Sequence, residues 1–208
     1  MSEKPFVITE ESRCAVIVAH PDDETLWTGG IMLLHPDADW TVVTMCRNND
    51  PDRAPKFFKA LQEYNAKGVM GDLNDDPSQE PLGLTLIQKT IMELLPTERF
   101  DLIITHSKWG EYTSHIRHEE TADAVLDLWR SDRLHAHQLW SFAYDDGDKK
   151  YLPKAVNDAD YKVRLPESIW QKKYEIITKL YGFDEENFEA RTTPREEAFW
   201  CFAKFVKP

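Results

Sequence analysis

Residues 19–24 read Ala-His-Pro-Asp-Asp-Glu, so His20, Asp22, Asp23 and Glu24 bring one imidazole and three carboxylates together directly after the apolar run Cys14 to Val18. Packing carboxylates side by side at the end of an apolar strand raises repulsion and desolvation costs unless something positive sits among them. A divalent cation is the simplest counter-charge. His20 and Asp23 are suited to ligate it, which leaves Asp22 free as a base. The plain alternative is an acidic turn leading into a helix, with Asp22 or Asp23 as N-cap and Glu24 favoured by the helix dipole.

A second group lies about a hundred residues on, in Ser114-His115-Ile116-Arg117-His118-Glu119. His115 and His118 are spaced to bring two imidazoles to one place at a helix start. A charged histidine is disfavoured there by the dipole, which suits neutral, metal-binding imidazoles. With His20 and Asp23, one more histidine gives three protein ligands and an open position, the arrangement of a catalytic centre. His106 follows a strand and stands between readings. His35, His135 and His137 lie in polar surroundings and read as surface groups.

The elements that would position these groups alternate between strand and helix. Strands are expected at Cys14 to Ala19, Trp40 to Cys46, Asp101 to Thr105 and Gln138 to Tyr144, with a short edge strand at Lys154 to Asn157. Helices are expected at Thr25 to His35, Lys56 to Lys67 capped by Gly68, Leu84 to Leu95, Glu119 to Ser131, Ile169 to Tyr181 and Pro194 to Phe205. Gly71 to Pro81 reads as an acidic turn region. This alternation implies an α/β fold: a Rossmann-like, doubly wound, mostly parallel sheet with helices on both faces, in a single domain over 1–208. Ligands in such sheets bind outside the carboxyl ends of the strands. His20 to Glu24, Arg47, the His106 to His118 loop and Asp145-Asp146 all follow strands. Four distant segments therefore converge on one rim.

Composition narrows the class of function. Lys+Arg 25 against Asp+Glu 37 gives a net charge of −12, with no basic stripe for nucleic acid or an anionic membrane. No apolar run approaches the roughly 20 residues of a membrane span. Met1 to Glu11 has no signal-peptide pattern, so a cytoplasmic location is expected. Cys14, Cys46 and Cys201 lack paired spacing and read as reduced thiols. A homo-oligomer is compatible with all of this.

The Ala-His-Pro-Asp-Asp-Glu strand end, followed by His-x-x-His after a later strand and loop, resembles the LmbE-like (PIG-L) family of zinc-dependent deacetylases. The resemblance runs from about Cys14 to Trp129. It implies removal of an N-acetyl group from an amino-sugar (N-acetylglucosamine-type) conjugate. It further implies metal ligation by His20, Asp23 and His118, a general base at Asp22, and stabilisation or protonation by a protonated His115. Arg47 or Arg53 falls where the family places a substrate-binding arginine. The chain carries Ile116-Arg117 where the family often has Pro-Asp, so the acidic residue that would orient His115 is missing.

The expected cofactor is Zn²⁺, with Fe²⁺ or another divalent ion as alternatives, and the expected partner is a small N-acetylated sugar conjugate. Trp27, Trp109, Tyr112 and Tyr144 offer flat surfaces for a sugar ring, although aromatics near strand ends are more often core. Trp109, in a polar loop, is the best placed. Two other readings remain open from sequence. One is a metal hydrolase of a non-sugar amide; the other is a metal- or sugar-binding module without turnover, against which the spare carboxylate of Asp22 argues.

Overall fold

Strand β1, Arg13–Val18, is buried from Cys14 onward and apolar on both sides. Cys14, Val16 and Val18 enter one core layer, while Ala15 and Ile17 enter the other. A strand of this kind needs cover on both faces, so it lies inside a sheet. It pairs in parallel with β2, Asp39–Cys46, and with β4, Arg99–Thr105. Strand β3, Lys67–Leu73, extends the parallel sheet beyond β2, and β5, His135–Phe142, extends it beyond β4. The computed structural model describes residues 5–76, 78, 80–95, 99–112 and 115–204.

Two further strands join β5 antiparallel in succession: β9, Glu196–Ala203, and then β8, Tyr161–Arg164. The seven-stranded order is β3-β2-β1-β4-β5-β9-β8. A separate two-stranded ladder joins β6, Tyr144–Asp145, to β7, Lys154–Ala155. Helices α1 (Asp23–Leu34) and α2 (Arg53–Glu63) pack on one face, with α5 (Glu167–Glu175) and its π-helical continuation Ile176–Tyr181. Helices α3 (Leu84–Leu94) and α4 (Ile116–Arg130) cover the other face, and a short α6 spans Phe188–Thr192. The expected α/β sheet is present.

Three local expectations are corrected. The Pro194 to Phe205 segment is strand β9 and not a helix, with Phe205 itself outside the described residues. Phe199 packs there against Trp140, Phe142 and Tyr161, so cross-strand aromatic burial outweighs the local helix-start signal. The helix expected over Lys56 to Lys67 ends at Glu63, and Gly68 is a strand residue whose approach to Val42 leaves no room for a side chain. The first part of the expected Gly71 to Pro81 turn belongs to β3, while residues 77 and 79 lie outside the described residues.

Glycine also explains how α1 sits on the sheet. The Gly30 and Ile31 amides donate to Glu197 of β9 at 2.7 and 2.8 Å. A Cβ on Gly30 would come within 2.9 Å of the Glu197 carboxylate, so only glycine permits that approach. Lys173 donates to the same carboxylate at 2.6 Å, and both side chains are fully buried.

Candidate metal centre

The strand order reverses direction between β1 and β4, and the ends of these two strands carry the His20 and His106 segments. This is the topological switch point at which doubly wound sheets bind ligands. After β1 the chain turns abruptly. Asp22 has φ 127°, a conformation that non-glycine residues adopt only under strain, and its amide donates to Glu24 at 2.9 Å. Glu24 is fully buried and also accepts from Thr25 at 2.6 Å and Tyr181 at 2.7 Å. Its role is to hold the turn.

Held in this way, three donor atoms from distant segments face one another. His20 Nδ1 lies 3.2 Å from Asp23 Oδ2, His118 Nε2 lies 3.3 Å from the same oxygen, and the two ring nitrogens are 3.3 Å apart. Ligand atoms about 2.1 Å from a tetrahedral Zn²⁺ stand about 3.4 Å from one another, so this triangle has the size of one face of such a site. His118 Nδ1 pairs with Glu111 Oε2 at 2.7 Å, and His20 Nε2 pairs with Asp75 Oδ1 at 3.0 Å. A carboxylate that accepts from the outer ring nitrogen, so that the inner one can bind a metal, is the usual support of a ligating histidine. The donor set fits a divalent cation.

His106 completes the buried cluster. The Ala19 amide donates to its Nε2 at 2.9 Å, and its Nδ1 pairs with Glu111 at 3.0 Å. Its Nε2 is also 3.4 Å from Asp23, and its ring stacks on that of His118 with centroids 3.9 Å apart. Charges follow from this crowding. Burial alone would raise Asp23, but His118 and His106 hold it well below the usual carboxylate range. Burial acts against Glu111 in the same way, yet His106 and His118 bring it down to about 2. Asp22 goes the other way: burial and then the Asp23 carboxylate push it up to about 8, against the pull of Arg53.

A cleft of about 270 Å³ opens over the triangle and brings together His20, Asp22, Asp23, Arg47, Arg53, Tyr112 and His115. Arg53 Nη1 donates to Asp22 Oδ2 at 2.6 Å, and Arg47 clasps Asp75 Oδ2 through Nε at 3.0 Å and Nη2 at 2.7 Å. His115 lies 4.3 Å from His118 and 4.8 Å from His20, centroid to centroid. Trp109 is elsewhere: 68% exposed, it borders neighbouring grooves and not this cleft. Trp27 and Tyr144 are core residues.

Sequence reasoning did not anticipate Asp75, Glu111, Phe188 or Glu189. The last two line the cleft from α6, with Phe188 packed 4.9 Å from Tyr112. Glu111 lies within the loop between the histidines, and only that position hinted at a role.

No family model and no curated protein matches the chain by sequence. Solved structures do match by fold. An N,N′-diacetylchitobiose deacetylase from Pyrococcus horikoshii superposes with a TM-score of 0.67 at 15% identity, over 92% of this chain and 84% of that one. The teicoplanin deacetylase Orf2, in a zinc-inhibited form, gives 0.66 at 13% identity, over 94% of this chain and 100% of that one. GalB, the 4-carboxy-2-hydroxymuconate hydratase from Pseudomonas putida KT2440, gives 0.59 at 14%, over 94% and 98%. The fold is that of the LmbE-like deacetylases.

Proposed function

We propose that the protein is a metal-dependent hydrolase that removes an N-acetyl group from an amino-sugar conjugate. The observation that carries this reading is the triangle formed by ring nitrogens of His20 and His118 and an oxygen of Asp23, with Asp22 beside it and an open cleft above. His20, Asp23 and His118 would hold the cation. A divalent ion bound there, Zn²⁺ being the best match to the donor set, supplies Lewis acidity that lowers the pKa of water and polarises an amide carbonyl.

The chain's own groups would do the rest. Asp22, raised by burial and by Asp23, takes the proton of the attacking water and returns it to the departing amine. A cation at the triangle offsets the Asp23 charge and brings Asp22 back toward the range of a base. His115 needs a revised role. Burial, then His118 and His20, push it down to about 3, so it is neutral and not the protonated imidazole expected from sequence. It acts as a hydrogen-bond donor to the oxyanion. Among the described residues its Nδ1 is buried with no hydrogen-bond partner.

Arg47, Arg53, Tyr112, Phe188 and Glu189 form the walls, with charged groups for hydroxyls and two aromatic faces for a ring. The deacetylase activity of two structural neighbours supports an N-acetylated sugar as substrate. The hydratase neighbour supports a second reading, addition of water to an unsaturated acid by the same apparatus. No helix among the described residues is long and apolar enough to cross a membrane.

Elemental analysis of untagged protein, alongside His118→Ala, tests the centre. Near-stoichiometric metal that the variant loses is the expected result. Amine release from N-acetylated sugars then tests the substrate. Wild-type protein that takes up no divalent cation would overturn the reading.

A further inference from the structure

Cys46 is the last residue of β2 and lies beside the proposed centre, fully buried. A buried thiol is ordinarily a small apolar filler, and Cys14 fits that description. Cys46 differs in its neighbours. Its Sγ, a ring nitrogen of His20 and a carboxylate oxygen of Asp75 all lie within 4.8 Å of one another. The Asp75 carboxylate is divided between two tasks: Oδ2 receives the Arg47 guanidinium, while Oδ1 faces His20 Nε2 at 3.0 Å. Arg47 reaches Asp75 from a left-handed backbone turn, φ 69°, directly after Cys46.

We propose that His20, Cys46 and Asp75 form a second cation site, selective for thiophilic divalent ions, joined to the proposed centre through the shared imidazole. A sulfur, nitrogen and oxygen donor set favours Zn²⁺, Co²⁺ or Cd²⁺ over Mg²⁺ or Ca²⁺. Thiolate and imidazole ligands of such ions stand about 3.5 Å apart, so donors within 4.8 Å of one another close by about 1 Å at most on binding. Binding forms bonds from the ion to Sγ, Nε2 and Oδ1. The thiol proton and the Nε2 proton leave to solvent, and with both sites filled His20 bridges the two ions as an imidazolate. The outer ion competes with Arg47 for Asp75 and sets a second positive charge across the ring from the first. Excess metal is therefore inhibitory. The proposal depends on the proposed centre only in the count of ions bound.

Co²⁺ titration of the metal-free full chain tests it, read by bound equivalents and by the thiolate-to-cobalt charge-transfer band in the near ultraviolet. Wild type should bind two equivalents, the second bringing the band. Cys46→Ser should retain the first equivalent and lose the band, while Asp75→Asn, which also removes the support of His20, should lose the band and bind the first equivalent about 10- to 100-fold more weakly. Asp75 is at the rim, so its variant keeps the test usable if Cys46→Ser fails to fold. One equivalent without a charge-transfer band overturns the second site and leaves the centre standing; no bound cobalt overturns both. A band that persists in Cys46→Ser assigns the thiolate to another cysteine and also overturns the proposal.

Discussion

Two of the places where the molecule buries charge are built on opposite plans. Beneath α1, Glu197 receives three donors: Lys173 and the Gly30 amide on Oε1, and the Ile31 amide on Oε2. Every acceptor there meets a hydrogen. At the ends of β1 and β4, two imidazole nitrogens and a carboxylate oxygen face one another within 3.3 Å while the outer ring nitrogens are occupied by Glu111 and Asp75. The Asp23 oxygen also accepts the His20 amide at 2.9 Å. The first arrangement is complete in itself; the second gathers nitrogen and oxygen donors at the spacing a bound cation would take. Burial and residue type alone do not separate them. The spacing of the donor atoms does.

Substitutions can break this contrast. Asp22→Asn should leave metal bound and lower turnover by about 10²- to 10⁴-fold, as expected for loss of a general base; elemental analysis and amine release measure the two separately. Near-normal turnover would remove Asp22 from the role. Lys173→Met strips a cation from the complete pair, and removing one partner of a buried pair costs about 3–5 kcal/mol. Denaturant unfolding should show that loss, while metal content stays unchanged in the folded fraction. Glu111→Gln is a smaller change within the centre. The fold should survive, and cation affinity should fall about 10- to 100-fold, the usual effect of losing a carboxylate behind a ligating histidine. Calorimetric titration with Zn²⁺ reads it directly.

The last effect appears only at alkaline pH and belongs to neither region. Burial, followed by the charges of Asp101 and Asp39, pushes the Cys14 thiol up from 9.0 to about 12. A raised folded pKa means that the folded chain keeps its proton while the unfolded chain loses it. The contribution to stability is therefore complete below pH 9 and declines as pH rises toward about 12, at roughly 1.4 kcal/mol per pH unit. Thermal melts of Cys14→Ala across that window should show a shallower decline than wild type.

Four of the five parallel strands were legible because β1, β2, β4 and β5 are short apolar runs, a property written in local sequence; β3, with Gly68 and Gly71, read instead as a helix end and a turn. The antiparallel edge was not. Thr193 and Pro194 form a sound local helix start, and only pairing with β5 and β8 makes Glu196–Ala203 a strand. The site divides along the same line. His20, Asp22 and Asp23 sit in one compact motif, and His115 and His118 in another. Asp75 and Glu111 acquire meaning only when their loops reach the histidines, 55 residues from His20 in one case and 7 from His118 in the other. His106 looked indeterminate because nothing nearby in sequence indicates that the Ala19 amide will donate to it.

The clasp between Glu197 and the amides of Gly30 and Ile31 joins positions 167 and 166 residues apart. The helix that begins with Asp23 is therefore secured by a strand synthesised long after it. Contacts of such long range form late and slow folding. A ribosome-bound chain that has made β1 to β5 carries all three donors of the centre but not the strand that fixes α1 beneath them. Metal loading of the proposed centre is thus expected to follow the pairing of β9 with β5, and its rate reports on closure of that antiparallel edge.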